Sequence, residues 1–226
     1  MEQQMPNVLQ NAGGAPGGAP GGARRLVVVS AGLSTPSSTR LLADRLTAAV
    51  QERVPEAEVT VIELRDLAHD ITNNLLTGFA APRLQAAIDA LSTADGAILV
   101  TPIFTTSYSG LFKSFIDVLD PAALTDLPVL LGATGGTERH SLALDYAIRP
   151  LFAYLHAVAV PTAVYAASGD WGSAGADATA GGLPERIDRA ATELADRMRA
   201  STRSTRVRDP FALPAGFSPV GGFGAQ

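Results

Sequence analysis

The chain has no cysteine, which excludes disulfides, thiolate nucleophiles and cysteine-ligated metals together. Histidine is scarce. His69 and His156 have no carboxylate or second histidine at ligand spacing, and no metal site is expected. Aromatic residues make up only 6%, with Trp171 the single tryptophan. Positive charge is not in excess: 17 basic against 22 acidic side chains give a net charge of −5. A nucleic-acid surface needs clustered cations, so none is expected. The one basic run, Arg199 to Arg208, reads as a solvated face near the chain's end. No apolar stretch reaches the roughly 20 residues that span a bilayer, and the first residues lack the basic-then-apolar order of a secretory signal. These absences lead us to expect a soluble cytoplasmic protein without membrane or nucleic-acid partners.

What is present is enough for a core. With 226 residues, 46% of them hydrophobic, the chain suits one domain with tails. Residues 1–23 carry Gly-Gly-Ala-Pro repeats that have nothing to bury, and they read as a disordered lead. The domain is expected over residues 24–200. Residues 201–226 read as a second flexible tail, in which Phe211, Leu213 and Phe217 could dock on a partner subunit.

Between the tails, short β-branched runs alternate with helical spacing. Leu26-Val27-Val28-Val29 is continuously apolar, the mark of a strand buried on both faces. Leu41, Leu42, Leu46 and Val50 then recur at helical spacing. The same logic predicts strands at Val59–Leu64, Ala97–Val100, Pro128–Gly132 and Val158–Tyr165. It predicts helices at Leu84–Leu91, Tyr108–Leu119, Ser141–His156 and Pro184–Arg199. Pro161 within the last strand points to an edge or an irregular start. Five strands alternating with five helices predict an α/β doubly wound, five-stranded parallel sheet with helices on both faces. Ligands of such sheets bind beyond the carboxyl ends of the strands, at the switch point of strand order.

Three loops fall at that edge. The first, Ser30 to Thr39, runs through small hydroxyl residues into a helix, whose unpaired N–H groups suit a phosphate. It is neither the Gly-x-Gly-x-x-Gly fingerprint nor a Walker loop. Plain capping by Ser37 or Ser38 would explain it equally well. The second, Thr101 to Gly110, places Pro102 and Phe104 among hydroxyl residues as a flat, partly polar shelf. An ordinary connection, with Lys113 and Asp117 as an exposed pair, is the plainer explanation. The third, Ala133 to His140, contains Gly135-Gly136, which allow a planar ligand close to the backbone. A helix expected from Thr137 would aim its positive end there. A Gly-Gly turn capped by Thr137 is the alternative.

Taken together, Ser37-Ser38-Thr39, Pro102-Ile103-Phe104, Ser107-Tyr108-Ser109-Gly110-Leu111-Phe112-Lys113 with Asp117, and Thr134-Gly135-Gly136-Thr137 resemble the flavodoxin-like NADPH-dependent FMN reductases. Within that family the set looks most like the two-component reductases that supply reduced flavin to luciferase-like or alkanesulfonate monooxygenases. The resemblance spans about residues 24 to 200. It implies reduction of FMN by NADPH or NADH, a flavin-dependent monooxygenase as partner, and a homo-oligomer with active sites at subunit interfaces. It also implies phosphate contacts from Gly32, Ser37 and Thr39. Pro102, Ile103, Phe104, Thr105 and Ser107 would line the isoalloxazine and ribityl chain, and Thr134, Gly135, Gly136 and Thr137 would cover the other edge of the ring. Tyr108 would stack in a π-bulge at a subunit interface beside the flavin. One departure weakens the phosphate end: many members carry Arg where this chain has Ser34 or Thr35, which leaves Arg40 as the candidate substitute.

No catalytic acid or base is implied, because the cofactors carry the hydride chemistry. The protein must hold two rings roughly 3–3.5 Å apart and stabilise charge on the reduced ring, a task suited to the N–H groups of Gly136 and Thr137. His140 is either a ring contact or a surface residue. Two other readings share the fold. One is an NAD(P)H:quinone or azo reductase that retains FMN tightly. The other is a flavodoxin-type electron carrier, disfavoured by the modest charge and the single tryptophan.

Overall fold

Seven strands, not five, follow one another in this computed structural model, which describes residues 23–171 and 182–203. They are β1 (Arg25–Ser30), β2 (Glu58–Glu63), β3 (Gly96–Phe104), β4 (Ser107–Tyr108), β5 (Pro128–Gly135), β6 (Val158–Ala159) and β7 (Val164–Ala167). Their order is β2-β1-β3-β5-β6, with β7 also paired to β5 and all of these parallel. The doubly wound parallel sheet is as expected; the strand count is corrected for two local reasons. The single strand expected over Val158–Tyr165 is broken around Pro161, which has no N–H to give a ladder. Its two pieces meet β5 at opposite ends, β6 at Pro128–Val129 and β7 at Gly132–Gly135. The break is satisfied from outside: Arg149 donates to the carbonyls of Val160 and Pro161 at 3.0 Å each, and Glu193 accepts from Thr162 N–H and Oγ1 at 2.7 Å each. The other extra strand is β4, which folds back antiparallel on the end of β3.

Side chains alternate across the sheet and so feed two cores. Leu26, Val28, Ile98, Val100 and Leu130 pack under α1 (Ser38–Arg53) and the C-terminal helix Leu183–Ala200. Val27, Val29, Leu99, Val129 and Leu131 face α2 (Ala68–Thr77), α3 (Pro82–Ser92), α4 (Gly110–Asp117) and α5 (Arg149–Tyr154). We label the C-terminal helix α6. Helix α2 has no counterpart in the sequence reading, although Leu67, Ile71 and Leu75 recur at helical spacing; only Ile71 of its ten residues is buried. It ends on Gly78 at φ 77°, the left-handed position glycine favours.

Two helices differ from expectation. Tyr108 is not helical: Ser109 caps α4 by accepting from Phe112 N–H at 3.2 Å, so the helix begins at Gly110. The long helix expected over Ser141–His156 is a turn, a π-helical segment at Leu144–Ile148 and then short α5. Pro150 explains it, since its ring excludes the regular i→i−4 bond and a widened turn accommodates the clash.

The chain is also fastened at the edge remote from the carboxyl ends. Arg203 is buried and donates to the carbonyls of Ser92 at 2.8 Å, Thr125 at 3.1 Å and Ala123. Residues 1–22 lie outside the described residues, as does the chain beyond Arg203, including Phe211, Leu213, Phe217 and most of the basic run. Among the described residues no helix is long and apolar enough to cross a membrane.

Candidate active site

The first loop is tightly self-organised. Ser37 is extended (φ −120°, ψ 118°) and its hydroxyl accepts from Arg40 N–H at 3.2 Å, capping α1. A Cβ on Gly32 would lie 2.1 Å from Ser37 Oγ, so a side chain there would displace the capping hydroxyl. Thr39 is buried, and its hydroxyl meets that of Thr134 at 2.8 Å, joining the first loop to the end of β5. Arg40 turns away: it binds Glu63 and, at 2.7 Å, Asp44, and these hydrogen bonds raise its already high pKa. Its charge is spent on two carboxylates rather than offered to the loop. Arg65, in the 3₁₀ turn Leu64–Leu67 after β2, bonds the Thr35 hydroxyl and the Ser34 carbonyl instead. Nothing in its sequence context distinguished Arg65 from a surface cation.

The second loop ends in a hairpin whose two turn residues, Thr105 and Thr106, have φ values of 49° and 70°. That is the left-handed geometry of a primed two-residue turn, uncommon for β-branched side chains. Below it, Thr101 Oγ1 accepts from Ser109 N–H at 3.1 Å. Tyr108 is half-buried with its ring 6.2 Å from that of Phe112. The expected π-bulge is absent from this segment; the π-helical segment lies at Leu144–Ile148.

In the third loop the paired glycines have different reasons to be glycine. A Cβ on Gly135 would strike the Tyr165 hydroxyl at 2.1 Å, whereas one on Gly136 would meet nothing within 4 Å. Tyr165 is buried and donates to the Thr137 carbonyl at 2.7 Å, and burial pushes its phenol pKa up. The helix expected from Thr137 is only the three-residue 3₁₀ turn Glu138–His140; Thr137 is extended (φ −139°, ψ 154°), so no helix end points at the loop.

These loops enclose a cleft of about 400 Å³ over the carboxyl ends of β1, β3, β5 and β7, a volume within the usual range for cofactor sites. Of the residues singled out from sequence, Thr39, Pro102, Ile103, Phe104, Thr134, Gly135 and Gly136 line it. Gly32 and Ser37 face an adjoining cavity of about 300 Å³ shared with Arg40 and Arg65. Thr105, Ser107, Tyr108, Thr137 and His140 line neither. The structure adds Leu33, Ser34, Ser38, Ser168 and Trp171 to the main cleft. Ser168 and Trp171 come from the loop after β7, which the sequence reading left out. A sole tryptophan just past a strand end was the signal available. A larger cleft of about 510 Å³ lies at the opposite edge between Pro128, Val158 and Arg203. It is on the wrong side of the sheet for the ligand of a doubly wound fold.

The main cleft suits FMN on its own features. Its hydroxyl loop and the N-terminal end of α1 offer donors for a phosphate at one end. Backbone without a side chain at Gly136, beside Pro102 and Phe104, leaves open space for a flat ring at the other. Among the described residues no group of three or more histidines and carboxylates could hold a metal.

A family model described as NADPH-dependent FMN reductase matches residues 24–172. The chain belongs to this family. An "FMN reductase (NADPH)" of Pseudomonas aeruginosa is 42% identical over 147 residues, covering 65% of this chain and 78% of that protein. An "NADH-dependent FMN reductase SfnF" of Pseudomonas fluorescens is 40% identical with the same coverage of 65% and 78%. A solved structure of an oxidoreductase from Corynebacterium diphtheriae is 45% identical, with a TM-score of 0.75 over 80% of this chain and 100% of its own. Flavodoxins at 19% and 14% identity, with TM-scores of 0.53 and 0.52, share the fold alone.

Proposed function

We propose that the protein is an NAD(P)H-dependent FMN reductase whose flavin lies in the cleft over the carboxyl ends of β1, β3, β5 and β7. In this arrangement the loop Ser34–Thr39 takes the phosphate, Pro102–Phe104 lines the ring, and Gly136 lets the ring approach the backbone. Bound flavin supplies the hydride-accepting ring, and the chain supplies orientation, water exclusion and fixed dipoles. The Thr39–Thr134 hydroxyl pair holds the phosphate loop in register with the ring loop. Tyr165, through the Thr137 carbonyl, holds the backbone beside Gly136 in place so that its dipoles need not reorganise. No side chain need exchange a proton.

The observation that carries this reading is the bare Gly136 backbone, facing open space in a cleft whose other end is a capped hydroxyl loop. We further propose that reduced flavin passes to a monooxygenase, that FMN enters and leaves as a substrate, and that the enzyme works as a cytoplasmic homo-oligomer. Family membership and relatives named for both NADPH and NADH support the reaction. Gly136→Val tests the site. It should melt like the parent yet lose FMN binding and FMN-dependent NADPH oxidation. A variant that binds and reduces FMN normally removes this loop from the site.

A further inference from the structure

We infer that Trp171 is a flavin-contacting residue, forming with Phe104 the two aromatic walls of a slot whose floor is the bare backbone of Gly135-Gly136. The inference rests on the FMN reductase reading and adds a ring contact outside the three loops so far assigned.

Topology builds the slot. Strands β3 and β7 both pair with β5, so their carboxyl ends flank the Gly135-Gly136 segment on its two sides. Phe104 reaches the cleft from the end of β3, and Trp171 reaches it from the turn that follows β7. Phe104 is about half exposed at 47%, a high value for a phenyl ring at the end of an otherwise buried strand. A flat, electron-poor heterocycle between two aromatic side chains above side-chain-free backbone is the ligand such a slot suits.

The indole is also held in place. Ser168–Trp171 is a 3₁₀ turn in which Asp170 accepts from Ala167 N–H at 2.7 Å and from Arg186 Nη2 at 3.0 Å. Arg186 also donates to the Tyr165 carbonyl, which locks the turn to β7. The Arg45 guanidinium of α1 stands 5.0 Å from the Trp171 ring centroid, a cation–π contact that fixes the ring. Arg45 is therefore a positioning residue, whereas Trp171 lines the cleft itself. Preorganisation of this kind raises affinity because the ring loses little freedom when the ligand arrives.

Because Trp171 is the only tryptophan, the full chain labelled with 5-fluorotryptophan carries one fluorine resonance. Titration with FMN should move that resonance, saturating at the flavin's own dissociation constant. In parallel, Trp171→Leu should raise the dissociation constants of FMN and of riboflavin by the same factor, about ten-fold, because the lost contact is to the ring and not to the phosphate. A resonance that stays in place at saturating FMN, or a W171L dissociation constant within two-fold of the parent's, overturns the inference. The fluorine measurement uses the parent sequence and holds even if W171L misfolds. Failure of the underlying reading looks different: the parent chain would then bind no FMN and oxidise nicotinamide no faster when FMN is added.

Discussion

Gly135→Ala separates the two glycines of the third loop and puts a number on the account of the site. A Cβ there falls 2.1 Å from the Tyr165 hydroxyl and 3.1 Å from its Cζ. Gly135 has no left-handed φ, so alanine can adopt its backbone conformation and the cost is steric. Tyr165 is buried and cannot swing away freely, so the overlap displaces the ring or the strand end. Overpacking of this kind costs about 1–3 kcal/mol, and losing the hydrogen bond to the Thr137 carbonyl adds about 0.5–1.5 kcal/mol. The sum, roughly 1.5–4.5 kcal/mol, corresponds to a fall in Tm of roughly 3–18 °C in a domain of this size. Differential scanning calorimetry on G135A, Y165F and the double variant gives the cycle. Y165F alone should cost about 1 kcal/mol. In that background G135A should cost about 1 kcal/mol, because the hydroxyl it strikes is gone and only the tight contact with Cζ at 3.1 Å remains. Gly136→Ala, which meets nothing within 4 Å, should melt like the parent. A G135A variant that melts like the parent, or costs the same with and without the Tyr165 hydroxyl, would refute a clash between the two residues.

Ser37→Ala removes the cap of α1 and should cost about 1 kcal/mol, read by urea unfolding. Thr39→Val breaks the hydroxyl pair with Thr134 and should weaken FMN binding by about 1–3 kcal/mol, measured by calorimetric titration. Thr106→Gly relieves a β-branched residue at φ 70° and should raise Tm slightly, since roughly 1–2 kcal/mol of strain outweighs glycine's extra chain entropy of about 0.5–1 kcal/mol. Burial of Tyr165 raises its pKa in the folded state, so its neutral form is favoured by folding. That contribution is complete below the ordinary tyrosine pKa of 10.0 and is lost as pH rises through the folded value. Denaturant midpoints should therefore fall more steeply above that pH for the parent than for Y165F.

The parallel sheet was legible because Leu26–Val29, Ala97–Val100 and Pro128–Gly132 are apolar without alternation, which only a strand covered on both faces requires. The loops at its ligand edge followed from topology. What escaped the sequence was decided by tertiary contacts. Helix α2 buries only Ile71, and its Leu67, Ile71 and Leu75 row is too short to stand out against the neighbouring polar residues. Tyr108 sits where helical spacing holds, but the Thr105-Thr106 turn and the Ser109 cap claim it for a hairpin. Pro161 marks an irregularity, yet nothing local shows that the strand resumes beyond it at a different register on β5. At the site, Gly135 and Gly136 are indistinguishable as letters; only the position of Tyr165, 30 residues further on, assigns one to packing and the other to open space. Arg40 looked like the phosphate's cation until Glu63, brought alongside by β2, took its charge.

Nicotinamide oxidation followed by absorbance, with NADPH and with NADH, in the presence and absence of added FMN, decides whether this chain reduces flavin. Oxidation by the purified full chain should depend on FMN and saturate with it. Gly136→Val should abolish this dependence while keeping the parent's Tm. An unchanged rate on adding FMN, or a Gly136→Val variant as active as the parent, would contradict flavin reduction in this cleft.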